Sequence, residues 1–277
     1  MNDSIIMVGW NGTPPYTLGG PTRGRARDVW IEDGLAGLWV PAPRTPTRTS
    51  RAYQHGSTPK VTKIEERLLD FQVRIEGRTR SDFEMAFADW MAVWSFDYDN
   101  EVITKTGSGP RSIRLRLDRD PKIVGRMSMQ TTRISIEMVV VACWPYLTSK
   151  TDVIKWEPGV GSHTGTVVVD NPTDVPLWMK FEGTPATKWI LPDGISDRTV
   201  PLKPQTTGWR VQTRQDFQTI RAAGAGFEVW KAMRGVNFMH EIPPRTPPTE
   251  IPVEVQGSAV PAELRIHLPR YHEMPWG

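Results

Sequence analysis

Hydrophobic and polar residues alternate along several short segments of the chain. The alternation is strict over residues 71–76 and 113–118, which predicts strands with one buried and one exposed face. Residues 4–10 and 133–144 are more continuously apolar and also predict strands, the second covered on both faces over its later half. The first half of the chain is therefore expected to be rich in β-structure.

One segment has the period of an α-helix. Ser81 and Glu84 have the spacing of a capping box, so the helix is expected to begin there and to end near Phe96. Apolar side chains then recur every three or four positions and predict a face that packs on a sheet: Phe83, Phe87, Trp90, Met91 and Trp94.

Two stretches show neither the two-residue period of a strand nor the period of an α-helix. Residues 12–27 and 41–58 are rich in Pro, Gly and polar residues, and both are expected to be irregular exposed loops. The second is long for a loop in a compact protein, and loops of that length commonly carry function.

The second half of the chain repeats a short strand and a turn about every ten residues. The turns are rich in Pro, Asp, Asn and Gly, most clearly at Pro192-Asp193-Gly194. Nine strands are predicted: 166–169, 177–181, 188–191, 198–202, 209–213, 217–220, 227–230, 251–255 and 262–268.

These elements predict a mainly β protein of two domains. Residues 1–149 are expected to form a β-sandwich or split-barrel domain with one packed α-helix, and residues 150–277 an antiparallel β-sandwich. The 25 prolines and 23 glycines among 277 residues agree with many short strands rather than long helices.

Charge and cysteine content exclude several classes of protein. The net charge of +3 is too small to indicate a specific nucleic-acid binder. Apolar runs long enough to cross a membrane are missing, and the first residues lack the order of a signal peptide, so synthesis in a cytoplasm is expected. The single cysteine, Cys143, excludes an internal disulfide and is predicted to be a small buried residue.

Sequence motifs for catalysis or metal binding are also missing. The five histidines show no metal-binding spacing (His55, His163, His240, His267 and His272), and no phosphate-binding loop or nucleophile elbow occurs. Asp97, Asp99, Asn100 and Glu101 form an acidic cluster without the glycine and distal glutamate of a calcium loop. We therefore predict no catalytic, cofactor-binding or metal-binding residues, and no enzymatic activity.

Several of the 12 tryptophans fall on predicted strands of the second half, among them Trp156, Trp178, Trp189, Trp209 and Trp230. Burial between sheets is the favoured interpretation, especially for Trp209, which shares a strand face with Val211 and Thr213. The alternative is a carbohydrate-binding module that uses exposed indoles to contact sugars of a host cell surface; a hydrolase is a further, less favoured alternative.

The order of these elements resembles a known family. The motifs are the helix sequence at 80–91, the strand end Ala-Cys-Trp-Pro-Tyr at 142–146, the run Asn-Pro-Thr-Asp-Val-Pro at 171–176, and Leu-Pro-Arg-Tyr at 268–271. In this order they resemble the distal tail proteins of long-tailed siphophages, and most closely the minor tail proteins of phages that infect actinobacteria.

The resemblance implies a structural protein of the virion tail tip, or baseplate. The first domain would resemble a tail-tube protein and form a ring, typically a hexamer, that joins the tail tube to the tip and leaves a channel for DNA. The second domain would be galectin-like and project outward. The implied partners are further copies of the chain, the major tail tube protein, the tape measure protein, and the tip, hub and receptor-binding proteins.

Overall fold

The computed structural model describes residues 3–24, 28–217, 219–222, 233 and 235–277. The chain divides into two compact units, which we call unit 1 (residues 1–148 and 273–277) and unit 2 (residues 149–272). Strands dominate the described residues, and the one α-helix among them lies in unit 1. The mainly β fold class predicted from the sequence is confirmed.

The elements of unit 1 are β1 Ser4–Val8, β2 Tyr16–Gly19, β3 Val29–Gly34, β4 Arg44–Thr49, β5 Thr58–Ile64, β6 Arg67–Glu76, α1 Arg80–Val93, β7 Asn100–Thr106, β8 Gly109–Leu117, β9 Lys122–Val124 and β10 Arg133–Ala142. Two antiparallel groups of strands surround a shared core. One has the order β2-β1-β7-β8, and the other is built on β3-β6-β10 with β9 paired to β10; they are joined where β8 also pairs with β10. Strands β4 and β5 form a separate sheet.

Helix α1 buries the face that its sequence predicts. Phe83, Trp90 and Trp94 are buried in the core, and Phe87 and Met91 pack against it. The predicted cap is wrong by two residues: Thr79 accepts a hydrogen bond from the Asp82 amide at 3.1 Å, and the Asp82 carboxylate accepts one from the Thr79 amide at 3.0 Å. The helix also ends earlier than predicted, at Val93.

Three further expectations for unit 1 are wrong, and one strand was not predicted. The supposed loop at 12–27 contains β2, and the one at 41–58 contains β4 and the start of β5. Strand β7 was not predicted because its buried positions include Asn100, Thr104 and Thr106, which hides the apolar period. Cys143 is exposed rather than buried, because β10 ends one residue before it.

Unit 2 is a set of antiparallel strands around a second core. The elements are β11 Leu147–Asn171 (its first two residues belong to unit 1), β12 Lys180–Gly183, β13 Lys188–Pro192, β14 Thr199–Leu202, β15 Trp209–Gln212, β16 Thr219–Ala222 and β17 Thr246–His272. Strands β16, β15, β12, β17 and β11 are neighbours in that order, and β17 also pairs with β13, which pairs with β14.

The predicted strands of unit 2 are mostly present, with shifted ends. The strands expected at 251–255 and 262–268 are parts of one long strand, β17, and the strand expected at 177–181 is observed as β12. The turn at Pro192-Asp193-Gly194 has Gly194 at a φ of +63°, as the turn motif predicts. The strand predicted at 227–230 lies outside the described residues.

Candidate assembly surface

Strands β4 and β5 form a hairpin that stands apart from the other sheets of unit 1. Within the described residues they pair only with each other, and every residue of both strands is exposed. We call residues 44–64 the basic ribbon. Strand β5, with 7 residues, spans about 23 Å at about 3.3 Å per residue. An isolated two-stranded hairpin is marginally stable in water, so this element depends on its attachment to the rest of unit 1.

All side chains in the basic ribbon that carry charge are positive. Residues 44–64 contain five Lys and Arg residues and no Asp or Glu: Arg44, Arg48, Arg51, Lys60 and Lys63. Apolar side chains lie among them, with Tyr53 fully exposed and Val61 70% exposed. Charged groups mixed with exposed apolar groups are typical of a protein-binding surface.

The loop of the basic ribbon is held by its own side chains. The Ser50 hydroxyl donates to the Gly56 carbonyl at 3.1 Å, and the Gln54 amide donates to the Thr58 hydroxyl at 3.0 Å. The backbone amide of Arg51 donates to the Gln54 side-chain oxygen at 3.1 Å. These bonds fix the shape of the loop before any partner binds, which lowers the entropic cost of binding.

The base of the basic ribbon is attached to the C-terminal segment of unit 1. The carboxylate of Glu273 accepts hydrogen bonds from the Ala42 amide at 2.9 Å and from the Arg44 guanidinium at 2.6 Å. The buried guanidinium of Arg67 donates to the Glu273 carbonyl at 2.8 Å and to the Val40 carbonyl at 3.0 Å. Burial lowers the pKa of Arg67, and the Glu273 carboxylate opposes that effect.

The rest of the C-terminal segment is bound in the same unit. Arg111 donates to the carbonyls of Met274 at 2.6 Å and Gly277 at 2.5 Å. Trp276 stacks on Trp39, with ring centroids 5.1 Å apart and planes at 11°. These contacts explain why residues 273–277 group with unit 1, whereas a boundary at 149/150 assigns them to the second domain. The sequence pattern did not predict these contacts, because the residues that form them lie more than 150 positions apart in the chain.

A negatively charged groove, opposite in sign to the basic ribbon, lies beside helix α1 in unit 1. Its volume is about 490 Å³, and its walls include three carboxylates but only one guanidinium. We call it the acidic groove; it is lined by Tyr16, Asp28, Arg78, Asp82, Met85, Ala86 and Asp89. Met85 is 58% exposed and adds an apolar surface to the groove. Each copy of the chain therefore carries a basic element and an acidic concavity.

The motif at 171–176, which carried much of the family resemblance, has a structural role in unit 2. Asn171 is fully buried, and its amide nitrogen donates to the carbonyls of Val175, Ile242 and Pro243 at 3.0–3.2 Å. Its side-chain oxygen accepts from the Thr173 hydroxyl at 2.7 Å. The motif therefore fixes a turn to a second segment of the chain.

The motif at 268–271 contacts the residue that precedes the Asn171 motif. The guanidinium of Arg270 is almost fully buried and donates to the Asp170 carbonyl at 2.7 Å and carboxylate at 2.5 Å. It also forms an ion pair with Asp152 at 2.8 Å. A buried guanidinium needs such partners, because leaving it unpaired would cost several kcal/mol.

The tryptophans of unit 2 are mostly part of its core. Trp189 and Trp209 are 0% and 2% exposed, and both indoles donate to the Thr184 carbonyl at 3.0 Å. The predicted burial of Trp209, Val211 and Thr213 on one face is confirmed. Trp156 and Trp178 are half-buried rather than fully exposed, which does not favour the carbohydrate-binding alternative; Trp230 lies outside the described residues.

The chemically active residue types occupy structural positions. Within the described residues there is no group of three His, Cys, Asp or Glu that could hold a metal ion. In the acidic cluster near residue 100, Asp99 pairs with Arg116 at 2.7 Å and the Asn100 side chain accepts from the Trp10 amide at 3.1 Å. His272 hydrogen-bonds Ser149 at 2.9 Å, and His240 lies 3.0 Å from buried Asp193.

Among the described residues, no helix has the length and apolar content that crossing a membrane requires.

No protein-family model matches the chain, and no curated protein sequence matches it. Solved structures do match. The crystal structure of the Dit protein (gp 19.1) of phage SPP1, described as a paradigm of the hub adsorption apparatus in phages that infect Gram-positive hosts, aligns with a TM-score of 0.63 at 10% identity. The alignment covers 96% of this chain and 98% of the SPP1 chain.

Chains from the baseplate of phage P2 in its activated conformation align as well. The structure with Ca gives a TM-score of 0.53 and the structure with Sr a TM-score of 0.52, each at 10% identity and with 99% of both chains covered. At such low identity the likeness concerns the fold. This chain therefore has, over almost its whole length, the fold of phage hub and baseplate proteins.

Proposed function

We propose that the chain is a structural, non-enzymatic subunit of a phage tail tip. The observation that carries this proposal is the alignment with the SPP1 Dit protein over 96% of this chain, which spans both units. A protein that shared only a common β-sandwich would align over one unit. The finer assignment, to siphophages and to phages of actinobacteria, is supported by the sequence motifs at 142–146, 171–176 and 268–271.

In this proposal copies of the chain form a closed ring, typically a hexamer, in the virion tail tip. The first domain (1–149) is the tail-tube-like part that builds the ring, and the galectin-like second domain (150–277) projects outward. The ring joins the tail tube to the tip and leaves a channel for DNA. Its partners are the major tail tube, tape measure, hub and receptor-binding proteins, and it is made in the cytoplasm of the host bacterium. The net charge of +3 is compatible with DNA passing without specific binding.

The basic ribbon and the acidic groove supply a contact between copies. A ring is built from heterologous contacts, in which one surface of a subunit meets a different surface of the next. The ribbon carries five cationic side chains, of which Arg44 and Lys63 also pair with Glu273 and Glu65. The groove presents Asp28 and Asp89 beside Asp82, whose carboxylate also caps helix α1. We propose that the ribbon of one copy binds the groove of its neighbour.

Charge reversal tests this contact. We expect Arg48→Glu/Arg51→Glu to convert rings into monomers in size-exclusion chromatography with light scattering, and to remove rings from negative-stain images. Both side chains are exposed, so the circular dichroism spectrum should be unchanged. The matched control is Arg126→Glu/Arg133→Glu, which reverses two exposed arginines of unit 1 outside the ribbon.

A compensating variant sharpens the experiment. Asp28→Lys/Asp89→Lys, which reverses the charge of the groove, should restore ring formation to the ribbon double variant and should prevent it in the wild-type background. Rings that form normally with the reversed ribbon would exclude the ribbon–groove contact. A wild-type chain that stays monomeric at high concentration and is not found in virions would overturn the proposed function itself.

A further inference from the structure

One outward-facing side of a sheet in unit 2 carries a small hollow. Its volume is about 190 Å³, and its walls are Trp178, Lys180, Gln212, Arg214 and Tyr271. All five lie in unit 2, on or next to β12, β15 and β17. All five side chains carry hydrogen-bond donors, and the indole of Trp178 hydrogen-bonds Glu241.

Strand register explains why these side chains meet. Lys180 on β12 lies opposite Gln212 on β15, and the next pair is Phe181 and Val211. Phe181 and Val211 are buried, at 0% and 1% exposure. Because successive side chains point to opposite faces of a strand, Lys180 and Gln212 lie on the face directed away from the core.

The charge in the hollow is unbalanced around Lys180. Burial lowers the pKa of this half-buried lysine, and the positive charge of Arg214 lowers it further. No carboxylate contributes to the shift. A lysine in this position gains stability from an anion placed between it and Arg214.

The charged groups near the hollow meet only part of that demand. The Nε of Arg214 is paired with the exposed Asp216 at 2.6 Å. Burial raises the pKa of Glu241, and a hydrogen bond from Trp178 opposes that effect. Burial likewise raises the pKa of Tyr271, with Arg214 opposing, so the Tyr271 hydroxyl remains protonated and able to donate at neutral pH.

A second hollow in unit 2 differs from the first in its balance of charge. Its volume is about 500 Å³, and its lining contains three arginines together with Glu182 and Glu263, whereas no carboxylate is among the residues that line the hollow at Lys180. Arg210 pairs with Glu182 at 2.9 Å, and Arg265 pairs with Glu263. The larger hollow therefore has little net demand for an anion, and its arginines provide matched controls.

We propose that the hollow at Lys180 is a binding site for a phosphate group. Lys180, Arg214, Gln212 and Tyr271 converge on it from three strands, so their donors approach from different directions. A tetrahedral phosphate presents several acceptor oxygens in different directions, whereas the two oxygens of a carboxylate lie in one plane. Trp178 forms the remaining wall, against which the group that carries the phosphate would pack.

The experiment uses the full chain and two probes, inorganic phosphate and dimethyl phosphate. Binding is followed by the ³¹P NMR linewidth and by the phosphate-dependent rise in Tm, with sodium chloride at equal ionic strength as the reference. We expect a saturable response, with Kd at least tenfold weaker in Lys180→Met. Lys180→Arg, which keeps the positive charge, should bind more tightly than Lys180→Met, and Arg265→Gln, a change in the other hollow, should bind like wild type.

The probes separate two sources of the ligand. Binding of inorganic phosphate alone indicates a free or terminal phosphate, whereas binding of dimethyl phosphate as well indicates the diester of a phosphate-containing polymer; both results support the site. A wild-type chain that binds neither probe overturns the proposal. An equal response in wild type and a folded Lys180→Met, or equal losses in Lys180→Met and Arg265→Gln, also overturns it. Neither outcome depends on ring formation, so this test is independent of the proposed function.

Discussion

The basic ribbon of unit 1 and the β13–β14 hairpin of unit 2 are both pairs of antiparallel strands, but their surroundings are opposite. Every strand residue of the ribbon is exposed, whereas the β13–β14 hairpin buries Trp189, Leu191, Val200 and Leu202 in the unit 2 core. The ribbon is basic throughout, and its tip is closed by surface hydrogen bonds.

The turn of the β13–β14 hairpin is held from inside the protein. The buried carboxylate of Asp193 accepts from the amides of Met239 at 2.9 Å and His240 at 3.0 Å, and it also pairs with Arg198. The hairpin of unit 2 therefore contributes to stability, whereas the ribbon is the element that we propose to contact a neighbouring copy. Substitutions in the two elements should separate these roles.

The largest effect is expected from Trp189→Ala. This indole is fully buried, packs edge-on against Trp156 and Trp209, and donates to the Thr184 carbonyl. Its removal should lower the free energy of unfolding by about 3–5 kcal/mol in urea denaturation. A loss below about 1 kcal/mol would mean that the aromatic core of unit 2 is packed differently.

A smaller effect is expected from Asp193→Ala, at about 2–3 kcal/mol, because the Met239 and His240 amides and Arg198 lose their acceptor. Asp197→Ala, at an exposed position of the same loop, is the matched control and should change stability by less than about 0.5 kcal/mol.

Asp193 also predicts that the stability of the protein depends on pH. Burial by itself would raise the pKa of Asp193, but hydrogen bonds from His240, Met239 and Arg198 more than compensate and lower it. A carboxylate with a depressed pKa stabilises the fold above its unfolded-state pKa of about 4, and this contribution is lost as the pH falls through the folded-state value. The Asp193→Ala variant should therefore lose less free energy of unfolding than the wild type as the pH falls from 5 to 2. A variant that loses as much as the wild type over this range would contradict the prediction.

The smallest effect on stability is expected in the basic ribbon. Tyr53→Ala/Val61→Ala removes two exposed side chains and should shift the free energy of unfolding by no more than about 0.5 kcal/mol. If the ribbon is a contact between copies, the same variant should weaken ring formation at low concentration in light scattering. A large loss of stability in the isolated chain would show that the ribbon belongs to the core.

Local patterns were sufficient to predict many elements of this protein. The stripe from Phe83 to Trp94 predicted the buried face of α1, and alternation predicted β6 and β8, because these patterns depend on residues close in sequence. The capping pair was misassigned because two overlapping pairs, Thr79/Asp82 and Ser81/Glu84, have the same spacing, and the extended backbone at Thr79 selects the first. The ribbon was missed because its strands have no buried face and hence no apolar period.

By itself the sequence determined the mainly β class, the single amphipathic helix, the rhythm of short strands in the second half, and the motifs that resemble a tail-tip protein. Only the tertiary structure decided where the C-terminal residues bind, which carboxylates line a groove, and that Lys180, Arg214 and Tyr271 share one hollow. The physical reason is distance along the chain. Hydrophobic period and turn chemistry act over a few residues, whereas charge balance and burial depend on strands that pair across tens to hundreds of positions.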